Sequence, residues 1–301
     1  MCDNDSMDDM IEYQLKSTQL SRRRFGALTL GTGMVSLLPQ AAGAAWIEES
    51  EVDIRTPDGT CDAYFVHPGE GVHPGVLMWP DIFGLRPAFR HMARRLAEAG
   101  YAVVVPNPFY RTRRAPTAPD NPDFNDKPTR DALMALMGSL SADTSVTDAK
   151  ALVGWLDSQA AVDRKRRMGT MGYCMSGPFT LRGAAALPDR IGAGASFHGG
   201  GLVTDKPDSP HLLVPKIKAH FLIAIASNDD QRQPEQKTVL RDAFARASVP
   251  AEIEVYEGAL HGWCPPDSRV YNDKQAEKAW SRMLELFRTT LGEPAKKSKK
   301  A

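Results

Sequence analysis

Two uninterrupted apolar runs, GVLMWPD (Gly75–Asp81) and YAVVVPNP (Tyr101–Pro108), constrain this chain more than any other feature. A strand that is apolar without alternation is buried on both faces, as in a parallel sheet covered on each side. Between the two runs, Phe89, Met92, Ala93 and Leu96 recur at helical spacing and stop at Gly100. Strand, helix and strand in that order make a crossover unit, and the pattern continues. RMGTM (167–171), GAGASFHGG (192–200), HFLIAIA (220–226) and AEIEVYEG (251–258) are further strand candidates. Helical spacing also marks Leu133, Leu136, Met137 and Leu140; Ala149, Leu152, Val153 and Leu156; Val239, Ala243 and Phe244; and Ala276, Trp280, Met283, Leu284 and Phe287. Upstream, VDIRTP and CDAYFVHP, separated by Asp58-Gly59, read as a hairpin. The expected fold class is α/β, a mostly parallel central sheet flanked by helices on both faces. Ligands of such sheets sit beyond the carboxyl ends of the strands, so the chemistry belongs there.

No internal repeat or compositional shift divides the chain, and residues 45–292 are expected to form one domain. The 301 residues hold 37 basic and 37 acidic side chains, a balance that gives no reason to expect nucleic acid or an anionic membrane as partner. NPFYRTRRAPTAPDNPDFNDKPT (107–129) is dense in proline and charge, the composition of a functional cover or a mobile segment. At the N-terminus, Ser21-Arg22-Arg23-Arg24-Phe25, a weakly apolar stretch and Ala42-Gly43-Ala44 follow the order of an export signal. The paired arginines resemble a twin-arginine signal, which implies the twin-arginine machinery as a partner and a periplasmic or otherwise exported destination. Residues 1–44 are therefore expected to be the signal and 293–301 a basic disordered tail. Without the leader, Cys61, Cys174 and Cys264 remain, an odd number that leaves at least one thiol unpaired.

That thiol has a conspicuous candidate. Gly172-Tyr173-Cys174-Met175-Ser176-Gly177 has the form of a nucleophile elbow with cysteine in place of serine. Small residues around the nucleophile let strand and helix approach through a tight turn. The helix N-terminus favours a thiolate there, and the Met175 N–H is placed to receive an oxyanion. Ser176 is a competing nucleophile, but Cys174 and Pro178 then stand where its small neighbours should be. A thiol nucleophile needs a base and a group that orients the base. In elbow-type sheets these follow in the order acid, then histidine, each after a later strand. Asp229 and Asp230 follow HFLIAIA, and His261 follows AEIEVYEG. Asp229 is preferred because it is nearer the strand end. Cys264 beside His261 lacks the further ligands of a zinc site, so no metal is expected. His198 is either part of the pocket wall or a histidine satisfied near the sheet edge.

With GYCMSG, the acid after HFLIAIA, YEGALHGW and WPDIFGLRPAFRHMARRLAEAGYAVVVPNPFYR, the sequence resembles the dienelactone hydrolase family of the α/β-hydrolase fold over about Glu49 to Leu291. The resemblance implies a cofactor-free Cys-His-Asp triad that opens esters and lactones through a thioester. It assigns Cys174 as nucleophile, His261 as general base and acid, and Asp229 as the orienting carboxylate. Ile82 and Met175 would supply the oxyanion N–H groups. Two positions depart from the family pattern. A glutamate before IFG, linked there to thiol activation, is here Asp81. Of two arginines that bind the dienelactone carboxylate, one falls at Pro265, and the other is best matched by Arg111, with Arg113 and Arg114 as competitors.

The expected function is an exported, cofactor-free hydrolase of a small-molecule ester or lactone, with a monomer favoured. A non-catalytic binding protein on the same fold, and an acyltransferase or peptidase using the same triad, are the alternatives.

Overall fold

The computed structural model describes residues 46–120 and 122–292. The expected export signal and basic tail lie outside the described residues. An eight-stranded sheet runs through the domain in the order β1-β2-β4-β3-β5-β6-β7-β8. β1 (Ile47–Thr56) and β2 (Gly59–Pro68) form the hairpin expected around Asp58-Gly59, and β2 is also antiparallel to β4 (Ala102–Pro106). From β4 onward the pairing is parallel, through β3 (Gly75–Trp79), β5 (Met168–Tyr173), β6 (Ile191–Phe197), β7 (His220–Ala226) and β8 (Ala251–Tyr256).

The apolar runs are buried on both faces, and their alternate residues join different cores. Val76, Met78, Val103 and Val105 pack with Phe89, Met92 and Leu96 of α1 (Pro87–Glu98) and with Trp280, Met283 and Phe287 of the C-terminal helix, Asp273–Leu291. Leu77, Trp79 and Val104 turn to the opposite face, onto Leu152, Val153 and Leu156 of Ala142–Ser158. Burying a side chain of this size contributes about 1.5–3 kcal/mol, so a polar residue anywhere along these runs would be costly. Further along that face, Leu181 of Gly177–Ala186 and Leu240 and Phe244 of Gln236–Arg246 cover Phe221, Ile223 and Ile225. Among the described residues the helices are, in chain order, α1, α2 (Lys127–Gly138), α3 (Ala142–Ser158), α4 (Gly177–Ala186), α5 (Ser227–Arg232), α6 (Gln236–Arg246) and α7 (Asp273–Leu291).

α2 begins where the proline-rich section ends, with the Asp126 carboxylate accepting from the Thr129 N–H at 3.0 Å. That section lies against two other loops. Phe124 meets Phe83 edge-on at 6.4 Å between ring centroids, and Arg269 pairs with Asp123 at 2.9 Å. Phe83 is in the loop after β3 and Arg269 in the loop after β8, so the segment touches both loops that frame the site.

Candidate active site

β5 ends at Tyr173, and the chain turns at once into the 3-10 turn Cys174–Ser176 and then α4. The sharp turn sets Cys174 at φ +55°. This is a left-handed conformation that costs a non-glycine residue roughly 1–3 kcal/mol and persists only where the surroundings impose it. They do so here. A Cβ on Gly172 would stand 2.4 Å from the Ser176 carbonyl oxygen, and one on Gly177 would stand 2.5 Å from Gly199 Cα. Only glycine lets these backbones come so close.

Ser176 is fully buried and acts as a tie. Its Oγ accepts from the Tyr173 N–H at 3.0 Å and lies 2.8 Å from the Pro80 carbonyl oxygen and 3.1 Å from that of Trp79. A hydroxyl so enclosed has no path to a substrate. It fastens the elbow to the loop that carries Ile82. The N–H groups of Ile82 and Met175 donate to no acceptor among the described residues.

His261 lies in the loop after β8, and its Nδ1 is 2.6 Å from Asp229 Oδ2. Asp229 stands in the first turn of α5, a short helix where the sequence led us to expect only a strand end. The neighbouring Asn228 accepts the His261 backbone N–H at 2.9 Å, so one turn holds both the ring and the main chain of the histidine. Asp230 faces elsewhere, receiving Lys237 Nζ at 2.6 and 2.8 Å. Burial alone would lower the His261 pKa. Hydrogen bonds and charge from Asp229 and Cys174 outweigh it and raise the imidazole to about 10. The structure therefore bonds His261 to Asp229 and leaves Cys174 as a neighbour that adds to the charge on the imidazole. Of the three free cysteines described, Cys61 and Cys264 are buried, and burial pushes both thiols up; Cys174 is half-buried.

Asp81 and Arg111 sit differently from what the sequence suggested. Asp81 is buried, and both its oxygens are engaged by Arg86, Nη1 to Oδ1 at 2.6 Å and Nη2 to Oδ2 at 3.0 Å. The same guanidinium donates to Asp267 at 2.7 and 3.0 Å and lies over the rings of Phe83 and Phe89. The Asp81 carboxylate is thus committed to a strap between the loop after β3 and the loop after His261, and not to the thiol. Arg111 donates to Asp148 at 2.8 and 2.6 Å and to Asp58 at 3.0 and 2.6 Å, and it covers Tyr110. A guanidinium already shared by two carboxylates has little left for a substrate.

His198 joins the site instead of a sheet edge. It is 1% exposed, and its Nδ1 accepts the Cys174 N–H at 3.1 Å. Its ring lies 4.9 Å from that of His261 and 5.1 Å from Trp263. Arg86, Asp267 and Asn228 were not singled out from the sequence. Their signal is weak, because one arginine among 37 basic residues does not announce a partner 181 positions away. Among the described residues, no group of three or more His, Cys, Asp or Glu is placed to hold a metal ion.

A parallel sheet whose strand ends present a cysteine elbow, an acid and a histidine in that order defines an α/β-hydrolase. Residues 61–291 match the model of the dienelactone hydrolase family, and the chain belongs to that family. It is 28% identical over 242 residues to the carboxymethylenebutenolidase of Rhodococcus opacus, covering 79% of this chain and 90% of that one. The dienelactone hydrolase-like promiscuous phosphotriesterase P91 from metagenomic libraries shares the fold with a TM-score of 0.66 at 22% identity, covering 82% of this chain and 99% of P91. The dienelactone hydrolase of Anabaena variabilis shares it with a TM-score of 0.57 at 18% identity, over 81% and 99% of the two chains. The protein is a hydrolase of ester or lactone bonds.

Proposed function

We propose that this protein hydrolyses esters or lactones through a thioester on Cys174, with His261 and Asp229 completing the triad. One observation carries the reading: His261 is bonded to Asp229 at 2.6 Å while it also interacts with the thiol of an elbow cysteine held at φ +55°. An imidazole kept charged by Asp229 beside the elbow sulfur can hand a proton to the leaving group once the sulfur has attacked.

In the proposed cycle, Cys174 Sγ forms a bond to the carbonyl carbon, and the oxygen takes up the electron pair facing the Ile82 and Met175 N–H groups. The tetrahedral intermediate collapses, the carbon–oxygen bond to the leaving group breaks, and His261 Nε2 gives that oxygen its proton. Water then adds to the thioester carbonyl and loses a proton to His261. The acid departs, restoring thiolate and imidazolium. Asp229 holds the ring with Nε2 toward the reacting atoms and compensates its positive charge throughout.

The substrate class we propose is uncharged near its reacting carbonyl. Arg111 is engaged by Asp58 and Asp148, Arg86 by Asp81 and Asp267, and Pro265 occupies the position where the family pattern has an arginine. A substrate carboxylate would have to displace one of these pairs to gain the Arg111 or Arg86 guanidinium.

The N-terminal pattern supports a further proposal, export through the twin-arginine route. Cys61, Cys174 and Cys264 are all free, as expected of a chain that folds in a reducing compartment before it is exported. Assaying the protein from Ala45 onward, beside Cys174→Ala, on p-nitrophenyl esters and a dienelactone tests the chemistry. Ester turnover abolished in the variant supports the thiol mechanism; turnover that survives the substitution overturns it.

A further inference from the structure

The peptide groups on both sides of Cys174 are held by a single loop, the one that follows β6. The Cys174 N–H donates to His198 Nδ1 at 3.1 Å, and the Cys174 carbonyl accepts the Gly200 N–H at 3.1 Å. Nothing else in the fold grips the nucleophile's backbone from outside the elbow in this paired way among the described residues. The grip is itself built under constraint. His198 adopts φ +41°, a left-handed conformation uncommon for histidine, and its own N–H is anchored to the Ala224 carbonyl at 2.8 Å. Two left-handed non-glycine residues, Cys174 and His198, therefore hold one another across the ends of adjacent strands β5 and β6.

We propose that His198 is a positioning residue of this hydrolase, holding Cys174 in its strained elbow conformation by accepting the Cys174 N–H at Nδ1. The proposal rests on Cys174 being the nucleophile.

The chemistry of the ring fits that task. To accept at Nδ1 the imidazole must be neutral and carry its proton on Nε2. Burial, and then the charge of His261 beside it, hold the His198 pKa well below the ordinary histidine range. Two histidines with centroids 4.9 Å apart thus divide the work: His261 is charged and serves the thiol, and His198 stays neutral and serves the backbone. Packing fixes the ring in place, with Tyr173 at 6.0 Å and Trp263 at 5.1 Å. Nε2 is buried and finds no partner among the described residues. Retaining an imidazole at such a position, when a buried polar atom goes unpaired, is costly unless Nδ1 has a use.

The loss of the acceptor can be separated from the loss of the backbone conformation. Glycine adopts φ +41° freely but offers no acceptor. Asparagine tolerates left-handed φ, and its Oδ1 lies close to where the imidazole places Nδ1. In the full-length protein and in H198G and H198N, we would measure the rate of Cys174 alkylation by iodoacetamide from pH 5 to 9 by peptide mass analysis. Ester kcat and KM, the urea unfolding midpoint and the imidazole ¹⁵N spectrum would be recorded alongside.

The expected result for H198G is a kcat about tenfold lower, with KM little changed and the alkylation profile displaced to higher pH, because the thiolate and imidazolium are no longer held in register. H198N should restore both. The spectrum of the unmodified protein should show one neutral imidazole protonated at Nε2 across this range. H198G with an unchanged profile and kcat would overturn the proposal, as would H198N behaving like H198G, or a His198 that titrates within the range. Should H198G fail to fold, H198N decides alone: an unshifted profile supports the acceptor role, and a shifted one refutes it. If Cys174 of the unmodified protein alkylates no faster than Cys61 and Cys264, the thioester mechanism falls, while the spectrum still decides whether His198 accepts from the elbow.

Discussion

Replacing Arg86 by methionine tests how the two loops around the site are held. The guanidinium donates two bonds to Asp81 and two to Asp267, at 2.6 to 3.0 Å, and lies within 5.3 Å of two phenyl rings. Methionine keeps most of the apolar contact and removes the charge. The two carboxylates left behind are not equivalent. Asp267 is 38% exposed, so water screens it and its share is small. Asp81 is 8% exposed and retains only the Phe83 N–H at 3.0 Å, so it bears most of the penalty. Stranding one partner of a buried pair costs about 3–5 kcal/mol, and the surviving N–H favours the lower end, about 3 kcal/mol. In urea, this corresponds to a midpoint lower by roughly 1 M or more. Adding Asp81→Asn should recover most of that loss, because a neutral amide no longer demands a counter-charge. The Asp81 loop carries Ile82, so ester kcat/KM in R86M should fall by roughly tenfold through a displaced oxyanion N–H. A loss below about 1 kcal/mol, or no recovery in the double variant, would show that Arg86 is not the strap described here.

Other consequences follow from the same geometry. Asp229→Asn should lower ester kcat/KM by about 10- to 100-fold, the worth of a charge-assisted hydrogen bond, and Asp230→Asn by much less, since Asp230 faces Lys237. Urea midpoints as a function of pH read the same bond. The His261 pKa is raised to about 10 from an ordinary value near 6.5, so its contribution to stability is fully present below about pH 6.5 and is lost as pH rises toward 10. The midpoint of the unmodified protein should therefore fall more over that interval than that of D229N; parallel curves would argue against the raised value. Given paired esters that differ by one carboxylate near the reacting carbonyl, kcat/KM should favour the uncharged member. Faster turnover of the anion would mean that a guanidinium is available after all.

The fold was legible because its signal is local and redundant. Each buried strand announced itself as a short apolar run, and Phe89, Met92 and Leu96, or Trp280, Met283 and Phe287, marked a helix face without reference to any distant residue. The elbow was legible for a similar reason, since the demand for glycine at 172 and 177 is met within six residues of sequence. What sequence could not convey was how ion pairs are shared out. Asp81 and Arg111 stood where the family pattern puts reactive or binding groups, and the types of residue were suitable. Whether each carboxylate or guanidinium is free depends on Arg86, Asp267, Asp58 and Asp148, which meet them only through the tertiary fold. His198 was similarly ambiguous. Its role depends on a left-handed φ and on the direction of Nδ1, and neither leaves a mark on the neighbouring residues.

The central claim, a covalent acyl-enzyme on Cys174, is open to one direct measurement. The protein from Ala45 onward would be mixed with excess p-nitrophenyl acetate, quenched in acid within the first turnovers, and digested for peptide mass analysis. The account predicts an acetyl group on the peptide containing Cys174, released by hydroxylamine and absent from Cys174→Ala. Rapid p-nitrophenol release with no acyl group on that peptide, or with an acyl group on another residue, would contradict it.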